Sequence, residues 1–165
     1  IIVICPLGKA FGGYGSIVLA NGVYLEAITQ FARTLIYSTA LPPLCAKLAE
    51  KSLEIILNNL DLQKKLQQNI EYFISKSKKY KLPVLENSVS AVQGILLGNP
   101  NAALSLSKYL KNLGYNIIAI RSPTVSPGGD RIRITIRAEH SFEQIDGLVC
   151  AIRDYFKICK NQYKY

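Results

Sequence analysis

The chain opens on an unbroken apolar run, Ile1-Ile2-Val3-Ile4-Cys5, followed by a glycine-punctuated segment, Gly8-Lys9-Ala10-Phe11-Gly12-Gly13-Tyr14-Gly15. Five consecutive apolar residues predict a strand buried on both faces, the habit of a parallel sheet covered by helices. Ser16 to Ala20 is apolar enough for a second strand, and Asn21 caps a helix reaching about Phe31. Thr34 to Ser38 reads as extended. Pro42-Pro43 stops it and opens a long helix, because proline's missing donor costs nothing in a first turn. Leu44, Leu48, Ile55 and Ile56 fall on roughly one face of that helix. Asn58-Asn59 interrupts it, and Leu62, Leu66, Ile70, Phe73 and Ile74 resume the helical spacing.

From Leu82 the pattern shortens. Ala91 to Leu97 predicts a strand and Asn101 to Leu113 a helix with Ala103, Leu106, Leu110 and Leu113 inward, stopped by Gly114. Ile117 to Ile120 and Ile132 to Ile136 predict further strands. Ser141-Phe142-Glu143-Gln144 is a capping box that starts a helix with Ile145, Leu148, Ile152 and Phe156 on one face. Asn161 to Tyr165 reads as a frayed tail. Two strand–helix alternations point to a small α/β domain beside the end of a larger one. The fold class is α/β, divided into residues 1–58 and a connecting helix with the small domain over 59–165.

Composition narrows the function classes. Of 165 residues, 49% are apolar and 19% charged, enough to build a core at this length. No apolar stretch approaches the roughly 20 residues that span a bilayer. Cys5, Cys45, Cys150 and Cys159 lack a C-x-x-C pair and there is one histidine, His140. That disfavours a zinc site or disulfide framework and makes reduced thiols in the cytoplasm the expectation. The net charge of +9 invites a nucleic-acid reading. Yet much of it sits in Lys64, Lys65, Lys76, Lys78, Lys79 and Lys81, along and just after one helical stretch. Such a run is ordinarily a solvated face, and no stacking or base-reading motif accompanies it. Attraction of an anionic acyl donor is a milder alternative.

Lys9 carries the candidate chemistry. Ligands of parallel sheets gather at the carboxyl ends of strands, and glycines there let backbone approach a small molecule. A merely solvated lysine is the plain alternative. A Walker-type phosphate loop is excluded, because Val3 and Ala10 stand where its first glycine and its Ser/Thr belong. What remains is a nucleophilic amine, whose usual employment is a Schiff base with a carbonyl cofactor. Farther on, Arg131-Ile132-Arg133-Ile134-Thr135-Ile136-Arg137 alternates strictly, placing three arginines on one strand face. Alternation alone fits a half-solvated strand.

Gly8-Lys9-Ala10-Phe11-Gly12, Gln30-Phe31-Ala32-Arg33, Tyr37-Ser38-Thr39-Ala40-Leu41-Pro42-Pro43, Ala119-Ile120-Arg121-Ser122-Pro123-Thr124-Val125 and Arg131-Ile132-Arg133-Ile134 occur in this order. Together they resemble the α-oxoamine synthases, fold-type-I pyridoxal phosphate (PLP) enzymes, and most closely their biotin-pathway branch. The resemblance runs from about Ile1 to about Phe156. It implies that the chain is the C-terminal part of such an enzyme, with residues 1–58 closing the large PLP-binding domain. The residue stacked on the cofactor ring and the acid at its pyridine nitrogen would lie outside the chain, so the piece alone is expected to be inactive.

The resemblance further implies that Lys9 forms the Schiff base with PLP. The reaction is then decarboxylative condensation of L-alanine with a pimeloyl thioester, on coenzyme A or a carrier protein, giving an 8-amino-7-oxo acid. Arg133 matches the arginine that grips the amino-acid carboxylate. Arg121 resembles a position near the acyl carboxylate or the cofactor, with a structural hydrogen bond to the following loop as its alternative. Ser38 and Thr39 resemble hydroxyl residues reaching the PLP phosphate of the neighbouring subunit, which implies a homodimer with shared sites. Gly12, Gly13 and Gly15 serve either the cofactor or the packing of the turn. One departure stands out: the family's phosphate-binding Thr or Ser three residues before the lysine is here Pro6, which has neither hydroxyl nor backbone donor. Two other functions stay open, a sibling synthase using glycine or serine with another acyl thioester, and a basic module that binds without turnover. His140 reads as structural, beside a helix cap.

Overall fold

The apolar run at the start of the chain folds into a hairpin. Strand β1 (Val3–Pro6) pairs antiparallel with β2 (Ser16–Leu19), Val3 opposite Leu19 and Pro6 opposite Ser16. This corrects the expected parallel strand buried on both faces: Val3 and Ile4 are exposed. An apolar run reports fitness for burial and nothing about the partner's direction. The short connection lets the chain return beside itself. These coordinates come from a computed structural model, which describes residues 1–85 and 88–162 and divides into two units, Ile1–Leu60 and Asp61–Tyr165.

Helix α1 (Gly22–Phe31) starts as expected at Asn21, whose side chain accepts the Val23 N–H at 3.2 Å. The segment expected to be extended instead forms a helical turn, α2 (Arg33–Ile36). The Ala32 carbonyl accepts the N–H groups of Leu35 and Ile36, and these local bonds outweigh the weak strand preference of Thr34 and Ile36. Helix α3 (Pro43–Asn58) carries Pro43 in its first turn. Its covered stripe is Cys45, Ala49, Ser52 and Ile56, while Leu44, Leu48 and Ile55 are exposed. The predicted period holds and the phase is off by one residue. Small side chains at Ala49 and Ser52 leave room for the hairpin turn, and Ser52 Oγ donates to the Phe11 carbonyl at 2.8 Å.

The second unit stacks helices on one antiparallel sheet. Helix α4 (Leu60–Lys79) leads to β3 (Val92–Leu96), α5 (Pro100–Asn112), β4 (Ile118–Ile120), β5 (Arg131–Thr135) and α6 (Phe142–Gln162). The strand order is β3-β5-β4, with β5 central. Gly94 lies opposite Arg133 on one side and Ile118 opposite Arg133 on the other. The alternation of β5 is realised: Ile132, Ile134 and Ile136 are buried and Arg133 and Arg137 exposed. Ile132 and Ile134 join Phe73, Leu106, Leu110 and Ile152 in the core. Ala103, Leu106 and Leu110 face inward as expected, whereas Leu113 is the exposed C-cap of α5. Gly114 follows at φ +88°, the left-handed turn that glycine takes without penalty.

The capping box of α6 forms in full: Gln144 N–H donates to Ser141 Oγ at 3.3 Å and Ser141 N–H to Gln144 Oε1 at 3.0 Å. Glycine in a helix interior costs about 1 kcal/mol, but at Gly147 a Cβ would collide with the Tyr115 hydroxyl, so the missing side chain makes room for that ring. The expected frayed tail is corrected in part. Asn161 and Gln162 continue α6, and residues 163–165 lie outside the described residues.

Helices α4 and α6 are tied by a polar cluster. Tyr72 Oη donates to Asp146 Oδ2 at 2.8 Å, and Lys76 Nζ lies 2.9 Å from Asp146 Oδ1. The Lys76 ammonium, then the Tyr72 hydroxyl, hold the Asp146 carboxyl below its ordinary range. A depressed carboxyl contributes stability above its unfolded pKa and loses it as pH falls through the folded value. Partial exposure screens the pair and keeps the effect small. Thermal melts from pH 7 downward are therefore expected to fall less steeply below about pH 4 for Asp146→Asn than for the wild type.

Candidate functional site

Lys9 sits in the turn between β1 and β2, and the turn is held by its own backbone. Leu7 N–H donates to the Gly15 carbonyl at 2.9 Å, Gly13 N–H to Leu7 at 2.8 Å and Gly12 N–H to Lys9 at 2.9 Å. Gly12 and Gly15 take positive φ, +59° and +95°. At Gly15 a Cβ would also meet Leu41 Cδ1 at 2.5 Å, so packing of the turn accounts for that glycine. The Lys9 side chain is exposed and makes no hydrogen bond or ion pair among the described residues. A free primary amine on a rigid turn is available to a carbonyl compound.

The hydroxyl candidates differ from each other. Ser38 Oγ donates to the Thr34 carbonyl one helical turn back, so its single proton is engaged and it remains an acceptor. The Thr39 side chain has no partner among the described residues. Pro6, where a hydroxyl was expected, stands opposite Ser16 in the ladder. Paired residues of an antiparallel ladder project to the same face, which puts the exposed Ser16 hydroxyl on the face of the Pro6 ring.

In the second unit, the three arginines of one strand face have distinct surroundings. Arg131 Nε donates to the Gly129 carbonyl at 2.6 Å. Arg137 pairs with Glu139 at 3.1 Å. Arg133 has no side-chain partner among the described residues and lines a cleft of about 470 Å³ with Thr135, Arg137, His140 and Gln144. Arg121 follows β4, exposed; its carbonyl accepts the Thr124 N–H of the following loop at 2.9 Å, and its side chain has no partner among the described residues. His140 is structural, as expected: its Nδ1 accepts the Arg137 N–H at 3.2 Å.

Asn69, Ser77, Gln93 and Asp130 are buried polar residues that escaped the reading of the sequence, and two of them fix backbone near the candidate arginines. Asn69, 2% exposed, donates from Nδ2 to the carbonyls of Arg137 at 2.8 Å and His140 at 2.9 Å, clamping the turn that follows β5. Its signal was a polar residue three positions after Leu66, within the apolar stripe of α4. Asp130, also 2% exposed, accepts the Ser122 N–H on Oδ1 at 3.2 Å. Nothing in the glycine-rich stretch before it marks it as buried. Of the lysine run, Lys64 pairs with Asp61 and Lys76 with Asp146. Lys78 and Lys79 stand in the last turn of α4, where the helix dipole favours cations.

Known proteins share the sequence and the fold of this chain. The 8-amino-7-oxononanoate synthase of Serratia proteamaculans is 40% identical over 153 residues, covering 93% of this chain and 40% of the relative. That of Photorhabdus laumondii is 39% identical over 155 residues. The chain thus spans about 40% of the length of the curated relatives it matches. The crystal structure of 8-amino-7-oxononanoate synthase from Francisella tularensis superposes at a TM-score of 0.86 with 32% identity, over 97% of this chain and 47% of that one. Serine palmitoyltransferase from Sphingomonas wittichii shares the fold, at TM-score 0.85 and 21% identity. The sequence model of aminotransferase class I and II matches residues 1–152, and the chain belongs to that family.

Proposed function

We infer that this chain is the C-terminal part of a PLP-dependent synthase joining L-alanine to a pimeloyl thioester, with release of carbon dioxide and the thiol, to give 8-amino-7-oxononanoate. The observation that carries this reading is the unpaired Lys9 amine on its rigid turn, in a chain resembling synthases of that name. Residues 1–58 then close the large cofactor-binding domain, and 59–165 form the connecting helix and small domain.

The donor set fits PLP. Lys9 offers the amine for its aldehyde and Ser16 a hydroxyl to phosphate oxygens without adding charge, while Thr39 offers its hydroxyl to the phosphate held by a neighbouring subunit. Ser38, its proton engaged, orders the segment that carries Thr39. When bound, PLP supplies an electron sink for the carbanion formed at the amino acid's α-carbon. Lys9 Nζ would be the base that takes the α-proton. The planar fork of Arg133 donates to both oxygens of the alanine carboxylate and fixes the α-proton's direction. Arg121, its backbone tied to the loop and its guanidinium unpaired among the described residues, meets the far carboxylate of the acyl chain. Ser38 and Thr39 act toward a neighbouring subunit in a homodimer, a reading supported by the exposed Leu35, Ile36 and Tyr37 beside them.

Carbon dioxide release by the full-length protein, measured with L-alanine, glycine or L-serine and pimeloyl thioester, tests this assignment. Turnover is expected with alanine, and Arg133→Ala should cut kcat/KM for alanine by about 100-fold. Preference for glycine or serine would move the assignment to a sibling synthase. Salt-sensitive binding to anionic polymers without turnover would move it to a basic binding module.

A further inference from the structure

The geometry points to Asp130 as the positioning residue for Arg121, and through it for the carboxylate end of the acyl substrate. This rests on the proposed contact between Arg121 and that carboxylate.

A buried carboxyl is costly unless hydrogen bonds replace its water, and the side-chain bond of Asp130 leads to the residue after Arg121. In the β4–β5 ladder Ile120 lies opposite Arg131. One step further, the register sets Arg121 opposite Asp130. There the ladder ends, and the Asp130 side chain takes over by accepting the Ser122 N–H at 3.2 Å. Arg121 is therefore held on both sides, by the strand at Ile120 and by the anchored amide at Ser122.

Asp130 is itself fixed. Its carbonyl accepts the N–H groups of Leu97 at 2.8 Å and Gly98 at 3.0 Å, which ties it to the end of β3. The neighbouring Arg131 closes the same neck through Gly129. Rigidity of the central sheet is passed to the one backbone position that aims Arg121. The Arg121 side chain has no partner among the described residues, so its direction comes from that backbone. A cation pre-aimed in this way loses less freedom on meeting a carboxylate than one on a mobile loop.

The test is a double-mutant cycle in the full-length protein with PLP bound. Binding of heptanedioate, the free dicarboxylate, is followed by calorimetry, alongside kcat and KM for the pimeloyl thioester. Arg121→Ala and Asp130→Ala are each expected to weaken heptanedioate binding about ten-fold. They should raise KM for the thioester and leave kcat within about three-fold. Asp130→Asn keeps an acceptor at the same reach and should bind within about two-fold of the wild type. The double variant should be no weaker than Arg121→Ala alone. Asp130→Ser, small and polar but too short to reach Ser122, gives the same reading if the alanine variant does not fold. Wild-type binding by Asp130→Ser or Asp130→Ala, or multiplying losses in the double variant, would overturn the positioning role and leave that of Arg121 standing. No effect of Arg121→Ala would remove the Arg121 contact, and the positioning role with it.

Discussion

Replacing Lys9 with alanine in the full-length protein is expected to abolish the visible absorbance of lysine-bound PLP and to lower turnover on the order of 10³-fold or more. The turn around Lys9 is closed by main-chain bonds among Leu7, Lys9, Gly12, Gly13 and Gly15, none of which uses the lysine side chain. The variant should therefore melt as the wild type does, so that the loss reads as chemistry. In the wild type the band should respond to L-alanine more than to glycine. Absence of a band from both proteins would end the covalent role of Lys9 and leave a homologue that binds without turnover. A band retained in the alanine variant would assign the attachment to another amine.

Phe73→Ala is expected to cost about 3–5 kcal/mol, a large share of the 5–15 kcal/mol that holds a typical domain folded. Phe73 is fully buried on α4 among Ile132, Ile134, Leu106 and Ile152. Truncation removes the ring from between helix and sheet and leaves a cavity lined by residues of both. Because β5 lies on that sheet, the loss should appear as weaker binding of carboxylate substrates as well as a lower denaturation midpoint. Leu113→Ala, at the exposed C-cap of α5, should stay within about 0.5 kcal/mol of the wild type. Equal midpoints for the two variants would contradict the assignment of the core.

The second unit was the more legible of the two, for a physical reason. Ala103, Leu106 and Leu110 on α5, and Ile145, Leu148 and Ile152 on α6, meet burying surfaces within the unit, so period and phase both show in sequence. In the first unit only Leu7 and Ala49 are buried among its described apolar residues. With apolar side chains on adjacent rows of α3, spacing gave the period but not which row faces the hairpin. The direction of β1 failed likewise, since partner choice rests on the connection and not on hydropathy. Lys9, Arg133 and Arg121 are proposed from motif order. Asn69 and Asp130 were not, because a buried polar residue is defined by the backbone groups it satisfies, and those lie far off in sequence or inside an irregular loop.

The central place of β5 has a consequence in time. A strand bonded on both edges gives up its amides to solvent only when its neighbours part, so exchange at Ile132 and Arg133 should track global opening while α1 and α2 exchange through local fraying. The backbone that carries Arg133 would then be among the last parts of the fold to open on warming.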